Sequence, residues 1–333
     1  MIVVSMLLSR VSFIHVLISS TVGVGNLGGT STTNHPNIDV DRSNLMASSH
    51  LVRQATTTIL QKDPTLAGPL LRLAFHDGAT REQLSSDDLD NNSSSFVGGP
   101  NGSIRYEVDW SENRGISRPL QAVEEIHSNI DGLSFADCIA LAGAEAVEFA
   151  GGPSIEIRLG RRDATKADSR KRKRTLQNDT DRSLVDTTLP SAGLDSDGLR
   201  LYFGALGLSD EQFVALCGAH DLGRHVTLLG MPKSCLKELT RECLEAAPVL
   251  MPFVAEDPDR FSNTYFKKLI KWNDRKVKIG EVAFIPTDVD LVVDKELRKY
   301  VTKFAKNKAA FYSSFTKAYQ IIVDAGASSV ERY

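Results

Sequence analysis

The sequence predicts a mainly α-helical fold with little β structure. From about residue 45 onward, apolar residues recur every three or four positions in nine segments, which is the spacing of one helix face. Alternation typical of strands is confined to two short runs, IEIRL at 155–159 and VAFI at 282–285. The chain has 333 residues, 41% of them hydrophobic and 24% charged, so the composition is that of a globular protein and excludes a disordered or collagen-like chain.

The nine predicted helices follow one another along most of the chain. In one of them Ser209 is followed three residues later by Gln212, the spacing of a capping box, so a helix is expected to begin there. The predicted segments are, in order, 45–62, 65–77, 116–129, 134–149, 195–206, 209–218, 259–271, 293–306 and 308–324.

The N-terminus differs from the rest of the chain. An apolar stretch broken by Arg10 and His15 leads into a run rich in Gly, Ser and Thr, with no acidic residue before Asp39. We therefore expect residues 1–30 to be a removable targeting leader and residues 31–44 a linker, a disordered tail being the alternative. The apolar pieces fall well short of the roughly 20 residues that cross a bilayer, so no stable membrane span is expected.

Two polar stretches resemble loop insertions, near 83–97 and near 161–185. The second contains a basic run, RRDATKADSRKRKR at 161–174, for which a solvated loop and a nucleic-acid or targeting patch are both open interpretations. The 39 basic and 42 acidic residues give a net charge of -3, so nothing in the overall charge favours a nucleic-acid partner.

Two of the seven histidines lie in apolar helical segments, His76 in LLRLAFHDGA and His220 in VALCGAHDLG. Each could, by itself, be a hydrogen-bonded core residue. Arg72 lies one turn before His76 on the same helix face, and Phe75 places a flat apolar ring beside them. A cation, an acid-base group and a planar surface together suit a reagent whose bond cleavage produces a negatively charged oxygen.

These residues carry a family resemblance. The motif R-x-x-F-H at Arg72, Phe75 and His76 resembles the distal helix of the plant-type haem peroxidase superfamily, and the segment around His220 resembles its proximal helix. Further segments resemble the superfamily in the same order, namely 98–116, 133–153, 157–163, 257–270 and 285–297. The resemblance covers residues 45–325 and implies one two-lobed helical domain with haem between the distal and proximal helices.

The resemblance also implies a cofactor and roles for the matching residues. It implies one haem b per chain, with His220 as the axial ligand of the haem iron and Asp288 as the carboxylate partner of that histidine. On the other side of the haem, His76 would move protons to and from hydrogen peroxide. Arg72 would stabilise the charge that develops on the departing oxygen.

Two further residues match positions that support the distal histidine. Asn113 would accept the second ring N–H of His76, and Glu107 matches the acidic residue that supports this asparagine. Without the resemblance, Asn113 is a turn residue in SENRG and Asp288 is a helix N-cap in IPTDVDLVVD. The resemblance therefore carries the site assignment.

Departures from the family pattern define the subclass. The four cysteines are too few for the eight-cysteine framework of the secreted plant branch, so the chain resembles the class I branch. Phe75 and Phe253 stand where ascorbate and cytochrome c peroxidases carry tryptophan, and Phe253 is expected in the cofactor pocket. Leu229 stands where ascorbate peroxidases carry the arginine that binds ascorbate, inside a further insertion near 226–250. The chain therefore most resembles the ascorbate peroxidase-related group, which lacks the ascorbate site.

The sequence thus predicts a haem-dependent peroxidase that reduces hydrogen peroxide to water with a small-molecule donor other than ascorbate, in response to oxidative stress. One alternative is a peroxidase-like, non-catalytic or weakly haem-binding protein with a structural or interaction role. Another is a metal phosphohydrolase built on the pairs His76-Asp77 and His220-Asp221. The leader favours an organelle, most of all the plastid, with the secretory pathway or the extracellular space as the alternative, and the oligomeric state is open.

Overall fold

The computed structural model describes residues 37–83, 96–168, 189–190, 193–227, 249–278 and 281–333. Within these residues the fold is mainly α-helical, as predicted. The helices are α1 (Asn37–Lys62), α2 (Ala67–Gly78), α3 (Ser117–Ser128), α4 (Phe135–Phe149), α5 (Ser196–Ala205), α6 (Asp210–Cys217), α7 (Thr264–Asn273), α8 (Pro286–Val293), α9 (Leu297–Lys306) and α10 (Lys308–Val323). The strands are β1 (Glu82–Gln83), β2 (Phe96–Val97), β3 (Arg224–Thr227) and β4 (Val249–Pro252).

Helix α6 begins as the sequence predicted. Ser209 and Gln212 form the predicted capping box at its start.

Other segments differ from the prediction. Helix α1 begins at Asn37, so part of the segment expected to be a linker (31–44) is helical. Helix α8 was not among the predicted helices. Like α6 it has eight residues, but its N-cap is the apolar Ile285, so no Ser or Thr marks its start as Ser209 marks that of α6. The expected leader, residues 1–30, lies outside the described residues.

Both predicted strands, 155–159 and 282–285, are wrong as strands. Ile157 exchanges backbone hydrogen bonds with Tyr333, at 2.8 and 3.1 Å. Each segment forms only an isolated bridge, the first through Arg158 to the C-terminal tail and the second through Val282. These extended segments meet their partners over too few residues to build a ladder, so the pairing ends after one bridge.

Two antiparallel strand pairs flank two of the expected insertions, those near 83–97 and 226–250. Strand β1 pairs with β2, and β3 pairs with β4. The residues between each pair lie outside the described part of the chain, and with them lie Leu229, Cys235 and Cys243. The two described cysteines, Cys138 and Cys217, form no disulfide.

Arg161, the first residue of the basic run, is not solvated. Arg161 is fully buried and donates to Asp137 Oδ1 at 2.6 Å. Its Nε donates to the carbonyl of Val323 at 2.7 Å, which ties this segment to the end of α10. The expectation of a solvated loop is therefore wrong for Arg161 alone. Residues 162–168 form no helix or strand and include the exposed Arg162 and Lys166, and residues 169–185 lie outside the described residues.

The described helices form two groups. Helices α1, α2 and α3 pack on α4, while α6 packs on α9 and α10, and α7 packs on α8 and α9. Helix α10 also contacts α2, so it joins the two groups into one unit. Among the described helices, none combines the length and apolar character of a bilayer-spanning segment.

At Gly143, helix α4 lies close to both α2 and α10. A Cβ atom at Gly143 would lie 2.6 Å from the Cβ of Ala74 and would also clash with the Tyr319 hydroxyl. Gly143→Ala is therefore expected to lower the free energy of unfolding by about 1–3 kcal/mol, because overpacking forces helices apart.

Gly204 in α5 is the matched control, since a Cβ atom there would meet nothing within 4 Å. Gly204→Ala is expected to raise the free energy of unfolding by about 0.5–1 kcal/mol through helix propensity. Denaturant unfolding of both variants checks the pair. Equal effects of the two substitutions would contradict the close packing at Gly143.

Candidate functional site

The first cluster of candidate residues, the His76 cluster, comprises Arg72, His76, Glu107 and Asn113. His76 is buried on α2, and its Nδ1 lies 2.8 Å from Asn113 Oδ1. The amide nitrogen of Asn113 donates to the backbone carbonyl of Glu107 at 3.0 Å, which leaves Oδ1 as the acceptor. His76 Nδ1 therefore carries the proton, and the lone pair lies on Nε2.

Glu107 supports Asn113 through its backbone and not through its side chain. The carboxylate of Glu107 instead accepts the backbone N–H of Asp168 at 2.8 Å. The structure thus brings His76, Asn113 and Glu107 together, and the support that Glu107 gives comes from its carbonyl. Any residue type offers a carbonyl, so this contact left no signal in the sequence.

Arg72 is held by the same short turn that supplies Asn113. Its two terminal nitrogens donate to the backbone carbonyls of Glu112 and Arg114, each at 2.8 Å. A guanidinium has five N–H donors, so three are left for a further acceptor. The 3-10 turn Ser111–Asn113 and its C-cap residue Arg114 thereby hold the guanidinium through backbone carbonyls, and Asn113 of the same turn holds the imidazole through its side chain.

Burial sets the protonation of both side chains. Removal from water lowers the pKa of Arg72 to about 10, so it stays charged at neutral pH. Burial, reinforced by the charge of Arg72, holds the pKa of His76 well below its usual value of 6.5. The result is a neutral imidazole beside a cation, which is the state of a general base.

Phe75 stands next to these groups. Its ring is half-buried and lies edge-on to the His76 imidazole, with 6.1 Å between the ring centroids. It also packs against Phe203 of α5, at 6.4 Å. Phe75 therefore contributes an apolar wall and has no hydrogen-bonding atom.

The second cluster, the His220 cluster, comprises His220, Phe253, Tyr265 and Asp288. His220 lies on a 3-10 turn, Gly218–Asp221, that directly continues α6. Gly218 allows this turn to approach closely, because a Cβ atom there would lie 2.6 Å from the ring of Phe311. The tightened turn and its packing fix the direction of His220.

Asp288 is fully buried in the first turn of α8 and has two roles. Its Oδ1 lies 2.7 Å from His220 Nδ1, and its Oδ2 accepts the backbone N–H of Ile285 at 3.0 Å. The helix N-cap residue is Ile285 and not Asp288, although the carboxylate does satisfy the helix terminus. The expected pairing of His220 with Asp288 is present in the geometry.

Phe253, which the family resemblance led us to expect in the cofactor pocket, packs against His220. The two rings stack with 4.0 Å between centroids and an interplanar angle of 6°. Backbone hydrogen bonding from Ala283 to the Phe253 carbonyl, at 3.0 Å, holds the phenylalanine in position. The ring covers one face of the imidazole without offering a donor.

Tyr265 is a member of the cluster that the sequence reasoning missed. It lies on α7, is fully buried and donates its hydroxyl to Asp288 Oδ1 at 2.7 Å. Its ring lies edge-on to His220, at 6.0 Å. The segment 257–270 resembled the family, but no local pattern pointed to a hydroxyl contact with a residue 23 positions later.

The two aspartates that follow the histidines point away from them. Asp77 Oδ2 accepts the N–H of Gly102 at 3.0 Å, and Asp221 accepts the N–H groups of Ser262 and Tyr265, both at 2.6 Å. Within the described residues, no group of three or more His, Cys, Asp or Glu could hold a metal ion. The phosphohydrolase interpretation is therefore wrong for this part of the chain.

Asp77 is expected to make stability depend on pH. Burial above all, with the charges of Glu107 and Asp168, raises its pKa to about 8. Because this exceeds the unfolded-state value of about 3.9, the contribution of Asp77 to stability is complete below that value and is lost as the pH rises through about 8. Asp77→Asn should remove this loss. The difference in unfolding free energy between Asp77→Asn and the parent should grow in favour of the variant between about pH 4 and 8, and a difference independent of pH would contradict the assignment.

In the His220 cluster, the Nε2 atom of His220 is suited to act as an axial metal ligand. Since Nδ1 of His220 is committed to Asp288, the lone pair lies on Nε2, which has no hydrogen-bond partner among the described residues. The side chain of His220 is 31% exposed, whereas that of Asp288 is 1% exposed. The imidazole therefore faces open space, while the carboxylate that holds it is buried. This geometry suits an iron bound to Nε2 with a carboxylate behind the histidine.

Known proteins match most of the chain. A family model described as peroxidase matches residues 52–307. A protein of Arabidopsis thaliana named as an L-ascorbate peroxidase is 32% identical over 266 residues, covering 78% of this chain and 64% of that relative. A protein of Mycosarcoma maydis named as a heme-binding peroxidase is 31% identical, covering 79% of this chain and 74% of the relative. A mitochondrial cytochrome c peroxidase of Cryptococcus neoformans is 30% identical, covering 79% and 63%. The chain thus spans just under two thirds of the Arabidopsis and Cryptococcus relatives.

Proposed function

The chain belongs to the haem peroxidase family, and on that premise we propose that it reduces hydrogen peroxide to water with a small-molecule electron donor other than ascorbate, in response to oxidative stress. The main support is the pairing of two histidines with different partners. His76 meets a neutral amide, which suits a base, and His220 meets a carboxylate, which suits an iron ligand. The non-catalytic alternative gives neither arrangement a role.

In this proposal the His220 cluster holds haem b, one per chain. Nε2 of His220 would bind the iron, and Asp288 would fix the ring tautomer and make the imidazole a stronger donor. Phe253 covers the face of the imidazole on which it stacks. Bound there, haem would supply the electrons for cleavage of the O–O bond, and electron donation from His220 would favour that cleavage.

The His76 cluster moves the proton. Nε2 of His76 accepts the proton from one oxygen of hydrogen peroxide and returns it to the other oxygen, which leaves as water. Asn113 keeps the second ring proton on Nδ1, so that Nε2 stays free for this transfer. Phe75 contributes no donor and limits the access of water to the base.

Arg72 stabilises the negative charge that develops on the leaving oxygen. Two of its N–H groups are anchored on backbone carbonyls, and the remaining donors are available to the oxygen. Because the anchoring turn also carries Asn113, the cation and the base keep a fixed relative position. Pre-organised charge of this kind costs no rearrangement during the reaction.

Three sequence positions bear on the choice of electron donor. Phenylalanines at positions 75 and 253, together with Leu229, favour a donor other than ascorbate, although relatives are named as ascorbate peroxidases. Steady-state peroxide consumption by the haem-loaded full chain, with phenolic donors and ascorbate in parallel, tests it. We expect phenolic donors to support turnover well above ascorbate. Faster turnover with ascorbate would contradict the donor assignment, and a chain that takes up no haem would favour the non-catalytic alternative.

We also propose that the protein acts in an organelle, most of all the plastid. Relatives carry names that place them in chloroplasts, peroxisomes or mitochondria, which supports an organelle in general. The acidic-free start of the chain favours the plastid. Residues 1–44 fused to a fluorescent protein should carry it into plastids, and delivery to the secretory pathway would overturn the assignment.

A further inference from the structure

We infer that Tyr265 is a positioning residue for His220: its hydroxyl, donated to Asp288, sets how strongly that carboxylate draws on the imidazole N–H. The inference rests on the proposed function, because it concerns the histidine that would hold the haem iron. Tyr265 touches neither peroxide nor iron in this account. It acts through Asp288.

The geometry places two donors on one oxygen. His220 Nδ1 and the Tyr265 hydroxyl both lie 2.7 Å from Asp288 Oδ1. The other oxygen, Oδ2, accepts the backbone N–H of Ile285 at 3.0 Å. The carboxylate is therefore shared among three donors, and a change at the tyrosine is felt at the same atom that binds the histidine.

The tyrosine is rigidly seated. Tyr265 is fully buried, and its backbone N–H is held by Asp221 Oδ1 at 2.6 Å. Its ring packs edge-on against Phe266 and Phe284, at 5.0 and 5.7 Å. Burial first, and then the charge of Asp288, raise the pKa of the phenol well above 10, so the hydroxyl keeps its proton at physiological pH.

The aromatic residue that covers His220 cannot replace this contact. Phe253 stacks on the imidazole at 4.0 Å but has no N–H or O–H group. Besides His220 itself, the ring-bearing side chain that donates to Asp288 among the described residues is therefore Tyr265 of α7, and not Phe253, which stacks on the histidine.

The direction of the effect follows from the charge on the carboxylate. A hydrogen bond accepted by a carboxylate stabilises its ionised form and lowers its basicity. A less basic Asp288 draws less on the Nδ1 proton, so His220 has less imidazolate character and donates less to the iron. Stronger axial donation stabilises the oxidised iron, hence loss of the tyrosine hydroxyl should lower the reduction potential.

The test compares two buried tyrosines in the haem-loaded full chain. Tyr265→Phe removes the hydroxyl from Asp288, whereas Tyr319→Phe removes an equally buried hydroxyl that donates to the carbonyl of Ala140 at 2.8 Å. Spectroelectrochemical titration gives the ferric-to-ferrous midpoint potential. We expect Tyr265→Phe to shift it downward by an amount equivalent to about a tenfold change in the ferric-to-ferrous ratio, about 59 mV for one electron, and Tyr319→Phe to leave it unchanged.

A second measurement keeps the hydroxyl and so protects the test against a folding defect. Biosynthetic replacement of tyrosine by 3-fluorotyrosine makes every phenol a stronger donor, and this should raise the potential. Equal potentials in Tyr265→Phe and Tyr319→Phe, or no shift with 3-fluorotyrosine, would overturn the inference while leaving the peroxidase proposal intact. Absence of haem uptake by the parent chain would overturn both.

Discussion

Replacement of His220 by alanine is expected to abolish stable haem binding. The imidazole is the group that the structure presents with Nδ1 held by Asp288 and Nε2 directed to open space, and alanine offers the iron no ligand atom. The expected result is loss of the Soret absorbance that the reconstituted parent chain shows after removal of free haem. Absorbance relative to protein concentration measures it.

His127→Ala is the control for this variant. His127 is half-buried on α3, with its ring against Phe135 at 5.5 Å, and it belongs to neither histidine cluster. It should retain haem at the parent ratio. If His220→Ala kept the parent haem content and spectrum, another residue would be the iron ligand and the assignment of the His220 cluster would be wrong.

The second large effect is expected at His76. His76→Ala should retain haem but react with hydrogen peroxide about 10²–10⁴-fold more slowly, because it removes the general acid-base group. Stopped-flow absorbance after mixing with peroxide measures the second-order rate constant. The His127→Ala control should react at the parent rate.

The pH dependence gives an independent check on the same residue. Burial and the charge of Arg72 hold the pKa of His76 well below 6.5. The base is therefore deprotonated at neutral pH, so the parent rate should stay level as the pH falls from 8 to about 6. It should decrease only at lower pH, as His76 takes up a proton. A parent rate that halves near pH 6.5, or a His76→Ala variant as fast as the parent, would contradict the role of His76.

Much of the fold could be predicted because long amphipathic helices leave a repeating signal. Helices α4, α6 and α10 lie within one or two residues of their predicted bounds. Helix α8 left no such signal, since its N-cap is the apolar Ile285, whereas the equally short α6 is marked by the capping box of Ser209 and Gln212. The segments around Ile157 and Val282 do alternate, but the partners available to them end after a single bridge.

In the candidate site, too, some contacts could be predicted from the sequence and others could not. Arg72 and His76 share one helix face, so their proximity follows from spacing alone. The approach of Asp288 to His220, 68 residues apart, was implied only by the family resemblance. Tyr265 was missed because its contact depends on how α7 packs against α8, and this packing is not encoded in any local pattern.

The most direct measurement of the central claim is a stopped-flow titration of the haem-reconstituted parent chain with hydrogen peroxide, followed in the Soret band and then challenged with phenolic donors and ascorbate. We expect one haem per chain, a rapid spectral change complete at one equivalent of peroxide, and a return to the resting spectrum that is faster with phenolic donors than with ascorbate. A chain that binds no haem, or whose haem spectrum does not change with peroxide, would contradict the assignment as a haem-dependent peroxidase.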